Sequence, residues 1–276
     1  MQKPNIMVCG LPGNVAQNVA RHVAADPDFN LVPLALTGPG IQDTHVDVDG
    51  TRVELVLPHG HEKALAGAKE KCAPLMIVDY THPSTVNANA ELYAKVGVPF
   101  VMGTTGGERE ALFKTVENSE IAAVIAPNMV KQIVGLSAMF EYAAENFPGL
   151  FDGFSMEVRE SHQKGKADTS GTAKAMVGYF NRMGIDFPVD RIQKERDPER
   201  QRNEWGVPEH CITGHGWHTY TLTSPDGNVV FEFTHNVCGR DVYSHGTLDA
   251  LRWLWNNMRA GARGRVFSMI DVLRGE

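Results

Sequence analysis

Several shortages in this chain limit what it can be. Only four cysteines occur in 276 residues (Cys9, Cys72, Cys211 and Cys238), scattered and without a C-x-x-C pair, so a reduced intracellular compartment is expected. No run of 18 apolar residues is present, and no membrane-spanning helix or membrane partner is expected. The opening MQKPNIMVCG reaches its first apolar run at Ile6, leaving no room for a signal or transit peptide and predicting a cytoplasmic protein. Positive charge is scarce too. Lys and Arg number 26 against 33 Asp and Glu, a net charge of −7, so no global basic field exists to hold nucleic acid. An anionic ligand would have to be drawn in by local cations.

What the chain does have is a change of texture near residue 129. Before it, nearly continuous apolar runs recur at 5–10, 31–38, 75–81, 99–105 and 121–128, as strands buried on both faces require. Helical patterns separate them: Val15, Val19 and Val23 fall at steps of four, and the segment from Pro83 to Gly97 opens and closes with suitable residues. Residues 45–57 read as a hairpin-like excursion. After residue 129 a helix is predicted over 130–147, then an alternating stretch at 151–162. A hairpin follows over 218–237, turning at Pro225-Asp226-Gly227. The charged run 192–206 reads as a mobile, solvated loop. The expectation is an α/β protein: a Rossmann-like parallel-sheet domain over 1–129, and an α+β domain on an open mixed sheet over 130–240. Residues 241–276 are expected to pack back on the first.

Two motifs carry chemistry. Gly10, Gly13 and Ala16 form G-x-x-G-x-x-A on a strand–turn–helix junction, where small residues let the backbone approach a pyrophosphate at a helix N-terminus. The second strand ends at Thr37, where an NAD-specific site would place an acid, so NADPH is favoured and NADH remains possible. Three other strand ends, at 79–83, 103–107 and 126–129, complete a ring around one crevice. The second motif is ESHQKGKADTSGTAKA, residues 160–175. Ser170 is a candidate N-cap, and the first turn beyond it exposes N–H groups at Gly171 and Thr172 that suit a carboxylate. His162 and Lys166 place an imidazole and an ammonium just upstream. This describes an anion pocket with a proton donor. No metal is expected: the spacing of His210, Cys211, His215 and His218 fits no common zinc site, so these read as satisfied or exposed polar residues. The S-x-x-K at 161–164 lacks the partner motifs of penicillin-recognising enzymes. His59 and His61 read as loop residues.

The 160–175 stretch resembles the signature of the dihydrodipicolinate reductase family, E-x-H-H-x-x-K-x-D-x-P-S-G-T-A. GTTGGERE, APNMVKQIVG, LTSPDGNVVFEFTHNVCGR and MIDVLR resemble the family's plant-type branch. Gln163 stands where the bacterial pattern has a second histidine, and the proline before Ser-Gly-Thr is absent. In the glycine loop, Asn14 and Val15 replace a basic-Met pair, and Ala16 replaces the last glycine. The resemblance implies NAD(P)H-dependent reduction of 4-hydroxy-tetrahydrodipicolinate in diaminopimelate and lysine biosynthesis. It implies His162 and Lys166 as the catalytic pair, with Gln163, Ser170, Gly171 and Thr172 binding a dicarboxylate. By the same resemblance the cofactor would be held by Gly10, Leu11, Pro12, Gly13, Asn14, Val15, Gly103, Thr104, Thr105, Ala126, Pro127, Asn128 and Met129, to which the strand-end reading adds Thr37, Asp79 and Tyr80. A homo-oligomer, dimer or tetramer, is also expected. The alternatives are a reductase of another cyclic imine or keto dicarboxylate, or a non-catalytic nucleotide-sensing protein.

Overall fold

The structure, a computed structural model, describes residues 2–275, which separate into two compact units, 2–134 with 241–275, and 135–240. Strand β1 (Asn5–Cys9) leads through the glycine loop into α1 (Asn14–Ala25). The next strand is split at Pro33, which has no N–H for the ladder, into β2 (Asn30–Leu31) and β3 (Leu34–Leu36). The antiparallel pair β4 (His45–Val48) and β5 (Thr51–Val56) is the expected hairpin-like excursion, and it joins β3 in a separate three-stranded sheet. Then come α2 (His61–Lys71), β6 (Leu75–Asp79), α3 (Val86–Val96), β7 (Phe100–Met102), α4 (Arg109–Glu117), β8 (Ala122–Ile125) and α5 (Lys131–Asn146). Pro83 begins a 3-10 turn rather than α3 itself, and Gly97 ends α3 in the left-handed conformation.

The second unit holds β9 (Ser155–His162), α6 (Gly171–Arg182), β10 (Gln193–Glu195), α7 (Pro198–Asn203), β11 (His215–Thr223) and β12 (Val230–Cys238). The chain then returns to the first unit as α8 (Asp241–Arg259), β13 (Arg265–Phe267) and α9 (Met269–Arg274). The first unit's main sheet is wholly parallel, in the order β13-β8-β7-β6-β1-β2. Apart from Asn5 at the start of β1, its central strands are buried, which explains their apolar runs. Leu248, Leu251 and Leu254 of α8 share a core with Val19 and Val23 of α1, and Arg252 pairs with Asp26 and Asp28.

The second unit's sheet runs β10-β9-β11-β12, parallel between β10 and β9 and antiparallel elsewhere. Met156, Val158, Tyr220 and Leu222 bury its inner face against Met176, Val177 and Phe180 of α6. Among the described residues, no helix is long and apolar enough to cross a membrane.

Three expectations need correction. The charged run 192–206 is structured: it contains β10 and α7, with Glu195 and Gln201 buried. Asp197 caps α7 by accepting from the N–H groups of Glu199 and Arg200. Cys211 and Cys238 form a disulfide, against the expectation of reduced thiols. They are 27 residues apart, and the β11/β12 register brings them together by setting His215 opposite Cys238. His61 begins α2 and is buried, bonding through Nε2 to the Val56 carbonyl.

Candidate active site

The inner face of the second sheet changes character along its length. After Met156 and Val158, β9 presents Glu160 and His162 on the same side, because alternate residues share a face. Beyond Leu222 and Tyr220, β11 presents His218, and β12 sets His235 opposite it. Ser170 then starts α6 as the predicted N-cap, its Oγ accepting from the N–H of Ala173 at 3.4 Å, with no acidic residue in the first turn.

Glu160, fully buried, organises this end. One carboxylate oxygen accepts from the Ser170 N–H at 3.0 Å, and the other accepts from the Arg196 guanidinium. Lys166 closes a turn by donating its N–H to the Gln163 carbonyl at 3.0 Å, while its Nζ donates to Asp168 at 2.9 Å. That ammonium holds the exposed Asp168 carboxyl below its usual range.

The proton positions on His162 follow from its partners. Nδ1 lies 2.9 Å from the His215 carbonyl, which can only accept, so Nδ1 carries the hydrogen. Nε2, 3.3 Å from Nε2 of His218, is then the titrating atom, and His218 donates to it. The remaining nitrogen of His218 is buried without a partner, as suits a bare acceptor. His218 stacks on His235 with ring centroids 4.6 Å apart. The sequence suggested that His162 titrates near neutrality, but burial drives it down to about 4. Arg196 and Lys166 add to the effect, while Glu160 and the His215 carbonyl oppose it. Burial also lowers His215, His218 and His235.

In the first unit the glycine loop is a tight cradle. Gly10 has φ +98°, and a Cβ there would lie 2.1 Å from the Tyr80 carbonyl oxygen; one on Gly13 would lie 2.8 Å from the Gly10 carbonyl oxygen. Helix α1 starts with no side-chain cap and no acid in its first turn. Its N–H groups and dipole therefore suit a pyrophosphate, and the loop fits a dinucleotide.

The other predicted cofactor residues divide. Pro12, Gly13, Asn14, Val15, Gly103, Thr104, Thr105, Pro127 and Asn128 keep at least partial exposure, whereas Leu11, Ala126 and Met129 are buried. Thr37 is 1% exposed and donates its Oγ1 to the Val56 carbonyl, so its side chain does not face a ribose. Asp79 is 0% exposed. It accepts from the backbone and hydroxyl of Thr81, and from Thr104, Asn89 and Tyr93, so it ties the β6 and β7 ends together rather than offering a ligand contact. Tyr80 packs where a Gly103 Cβ would sit, and its hydroxyl bonds Thr247 at 2.6 Å.

The residues that sequence reasoning missed are Arg196, Gln201, His218 and His235. Gln201 donates to the His162 carbonyl at 2.7 Å. Period-two alternation put His218 and His235 in strands, but only the pairing register stacks them beside His162.

Comparison with known proteins identifies the family. The family model for the N-terminal part of dihydrodipicolinate reductase matches residues 4–129, and that for the C-terminal part matches 133–273. The chain is 49% identical over 270 residues to 4-hydroxy-tetrahydrodipicolinate reductase 1, chloroplastic, of Arabidopsis thaliana, covering 98% of this chain and 78% of that one. It is 46% identical to a probable 4-hydroxy-tetrahydrodipicolinate reductase 2, chloroplastic, of Oryza sativa subsp. japonica, covering 98% and 82%. A dipicolinate-bound dihydrodipicolinate reductase from Paenisporosarcina sp. TG-14 shares the fold, with a TM-score of 0.66 at 17% identity, covering 97% and 98%. The plant relatives are named chloroplastic, which overturns the cytoplasmic expectation. With one family model matched over residues 4–129 and the other over 133–273, this chain belongs to the dihydrodipicolinate reductase family.

Proposed function

We propose that this protein reduces 4-hydroxy-tetrahydrodipicolinate to tetrahydrodipicolinate in diaminopimelate and lysine biosynthesis, using NADPH or NADH. The observation that carries the residue assignment is the polar end of the β9–β11 face, where His162, Lys166 and the start of α6 are fastened together through Glu160. The bound reduced nicotinamide would supply the hydride; the substrate hydroxyl leaves as water with a proton from the neighbouring ring carbon, and one proton returned to that carbon completes the balance. The N–H groups of Gly171 and Thr172, with the Ser170 hydroxyl, hold one substrate carboxylate, and Gln163 contacts the substrate beside them. Lys166 exchanges Asp168 for the second carboxylate and, with His162, delivers the proton to the electron-rich carbon. A dianionic ligand acts on His162 with the same sign as Glu160, moving the ring back toward the range in which it holds a proton. The exposed part of residues 10–15 would hold the cofactor's pyrophosphate, and Gly103 to Thr105 with Pro127 and Asn128 would lie beside its nicotinamide half. Val230 and Phe231 lie exposed on outer strand β12, which supports self-association.

The test compares Lys166→Ala with Lys164→Ala in calorimetric titrations of pyridine-2,6-dicarboxylate, with reduced cofactor present. Lys166→Ala weakens dicarboxylate binding and turnover while NADPH affinity holds. Lys164, exposed two residues away, does much less. Equal losses in both variants would reduce the stretch to a generic basic loop.

A further inference from the structure

Arg196, which bonds two carbonyls of the 163–170 loop, lies outside the signature motif, in the charged run 192–206. Arg196 donates from Nε to the Lys166 carbonyl at 2.7 Å, from one terminal nitrogen to the Glu195 carbonyl at 2.9 Å, and from the other to Glu160 and to the Asp168 carbonyl at 3.3 Å. Its side chain is 18% exposed and the carboxylate it meets is fully buried. Glu195, just before it, accepts from the N–H groups of Arg196 and Asp197, which fixes the turn that aims the guanidinium. A planar fork with five donors can serve these acceptors together; an ammonium cannot.

We propose that Arg196 is a positioning residue for the reduction: it fastens the loop bearing Lys166 to β9 and balances the buried Glu160 carboxylate beside His162. The inference rests on the functional reading above for its consequence in turnover, but its physical content does not. Two separate links support it. Mechanically, Arg196 and Ser170 share Glu160, so the loop carrying Lys166 and the start of α6 hang from one carboxylate. Electrostatically, the groups around His162 are Glu160 on its own strand, Arg196 after β10, Lys166 in the loop, His215 and His218 on β11, and His235 on β12 behind His218. Arg196 lowers the His162 titration and Glu160 raises it. Removing the guanidinium deletes a positive charge and unpairs a negative one, so both changes shift His162 the same way, upward.

The experiment uses the full chain with Arg196→Met, Arg196→Lys and, as a control, Arg202→Ala, whose side chain contacts Glu209 and the Pro198 carbonyl. Histidine NMR titration and amide exchange are read without ligand. Turnover and NADPH affinity are read separately. In Arg196→Met, His162 titrates at a higher pH than in the wild-type chain, and exchange over residues 164–169 accelerates. Arg196→Lys keeps the charge, so the titration stays near wild type while the loop still loosens. Turnover falls about 100-fold in Arg196→Met, the scale for a misplaced reacting group, with NADPH affinity unchanged. Arg202→Ala matches wild type throughout. Unchanged His162 titration and unchanged loop exchange in Arg196→Met would overturn the proposal, as would a lowered melting temperature without either shift. A wild-type chain inactive on the substrate would instead count against the functional reading.

Discussion

A free imidazole is half protonated near pH 6.5, and His162 is held far from that condition by desolvation, the largest influence on it. At neutral pH the unliganded ring is therefore a neutral acceptor at Nε2. The proton-donor role proposed for it would be induced by the charge of what binds. Two outcomes follow. In NMR titrations His162 stays neutral in the empty protein down to about pH 4, and pyridine-2,6-dicarboxylate moves its midpoint upward; a midpoint insensitive to the ligand would contradict the account. His162→Gln keeps cofactor binding and lowers turnover about 10²–10⁴-fold, the usual contribution of a positioned acid. Steady-state rates beside a direct NADPH titration decide it, and near-normal turnover would remove His162 from the chemistry.

At the scale of elements, both candidate sites are strand ends held by a buried carboxylate. In the second unit Glu160 joins β9 to the start of α6 and to Arg196. In the first, Asp79 joins the ends of β6 and β7, collecting donors from Thr81, Thr104, Asn89 and Tyr93. Burial, then the Asp79 charge, pushes the Cys9 thiol up to about 12, so Cys9 is an inert core residue. Asp79→Ala would leave several donors without a partner. Each costs about 1–3 kcal/mol where water cannot replace the oxygen, so a loss of about 3 kcal/mol or more is expected by urea denaturation. NADPH binding weakens with it, since the 103–105 backbone loses its anchor. A stability change under about 1 kcal/mol would show that water fills the site.

At the scale of the whole molecule, the two units respond differently to acid. His162, His215, His218 and His235 all belong to the second unit and all have lowered pKa values through burial; in the first, His61 is the one described histidine so shifted. A histidine held neutral when folded binds fewer protons than its unfolded counterpart. Stability is therefore fully present above about pH 6.5 and is lost as pH falls toward 4, the folded value for His162. Hydrogen exchange at pH 5 against pH 7.5, after correction for intrinsic rates, should show β9, β11 and β12 losing protection well before β1, β6 and β7. Equal loss in both units would refute this.

The sequence alone determined what depends on local order. Unbroken apolar runs specified buried parallel strands, the glycine spacing specified the cradle before α1, and Ser-Gly-Thr specified the capped start of α6. The signature from Glu160 to Ala175 pointed to the family because its chemistry is contiguous. Tertiary structure decided whatever depends on pairing between distant segments. Thr37 ends its strand as expected, yet its side chain turns inward because the strand splits at Pro33 and β5 pairs beside it. Cys211 meets Cys238 only through hairpin register. Arg196 looked like one charge among many in a solvated run. It reaches Glu160 because β10 pairs with β9, and no local pattern encodes which charge in such a run is buried against a distant carboxylate.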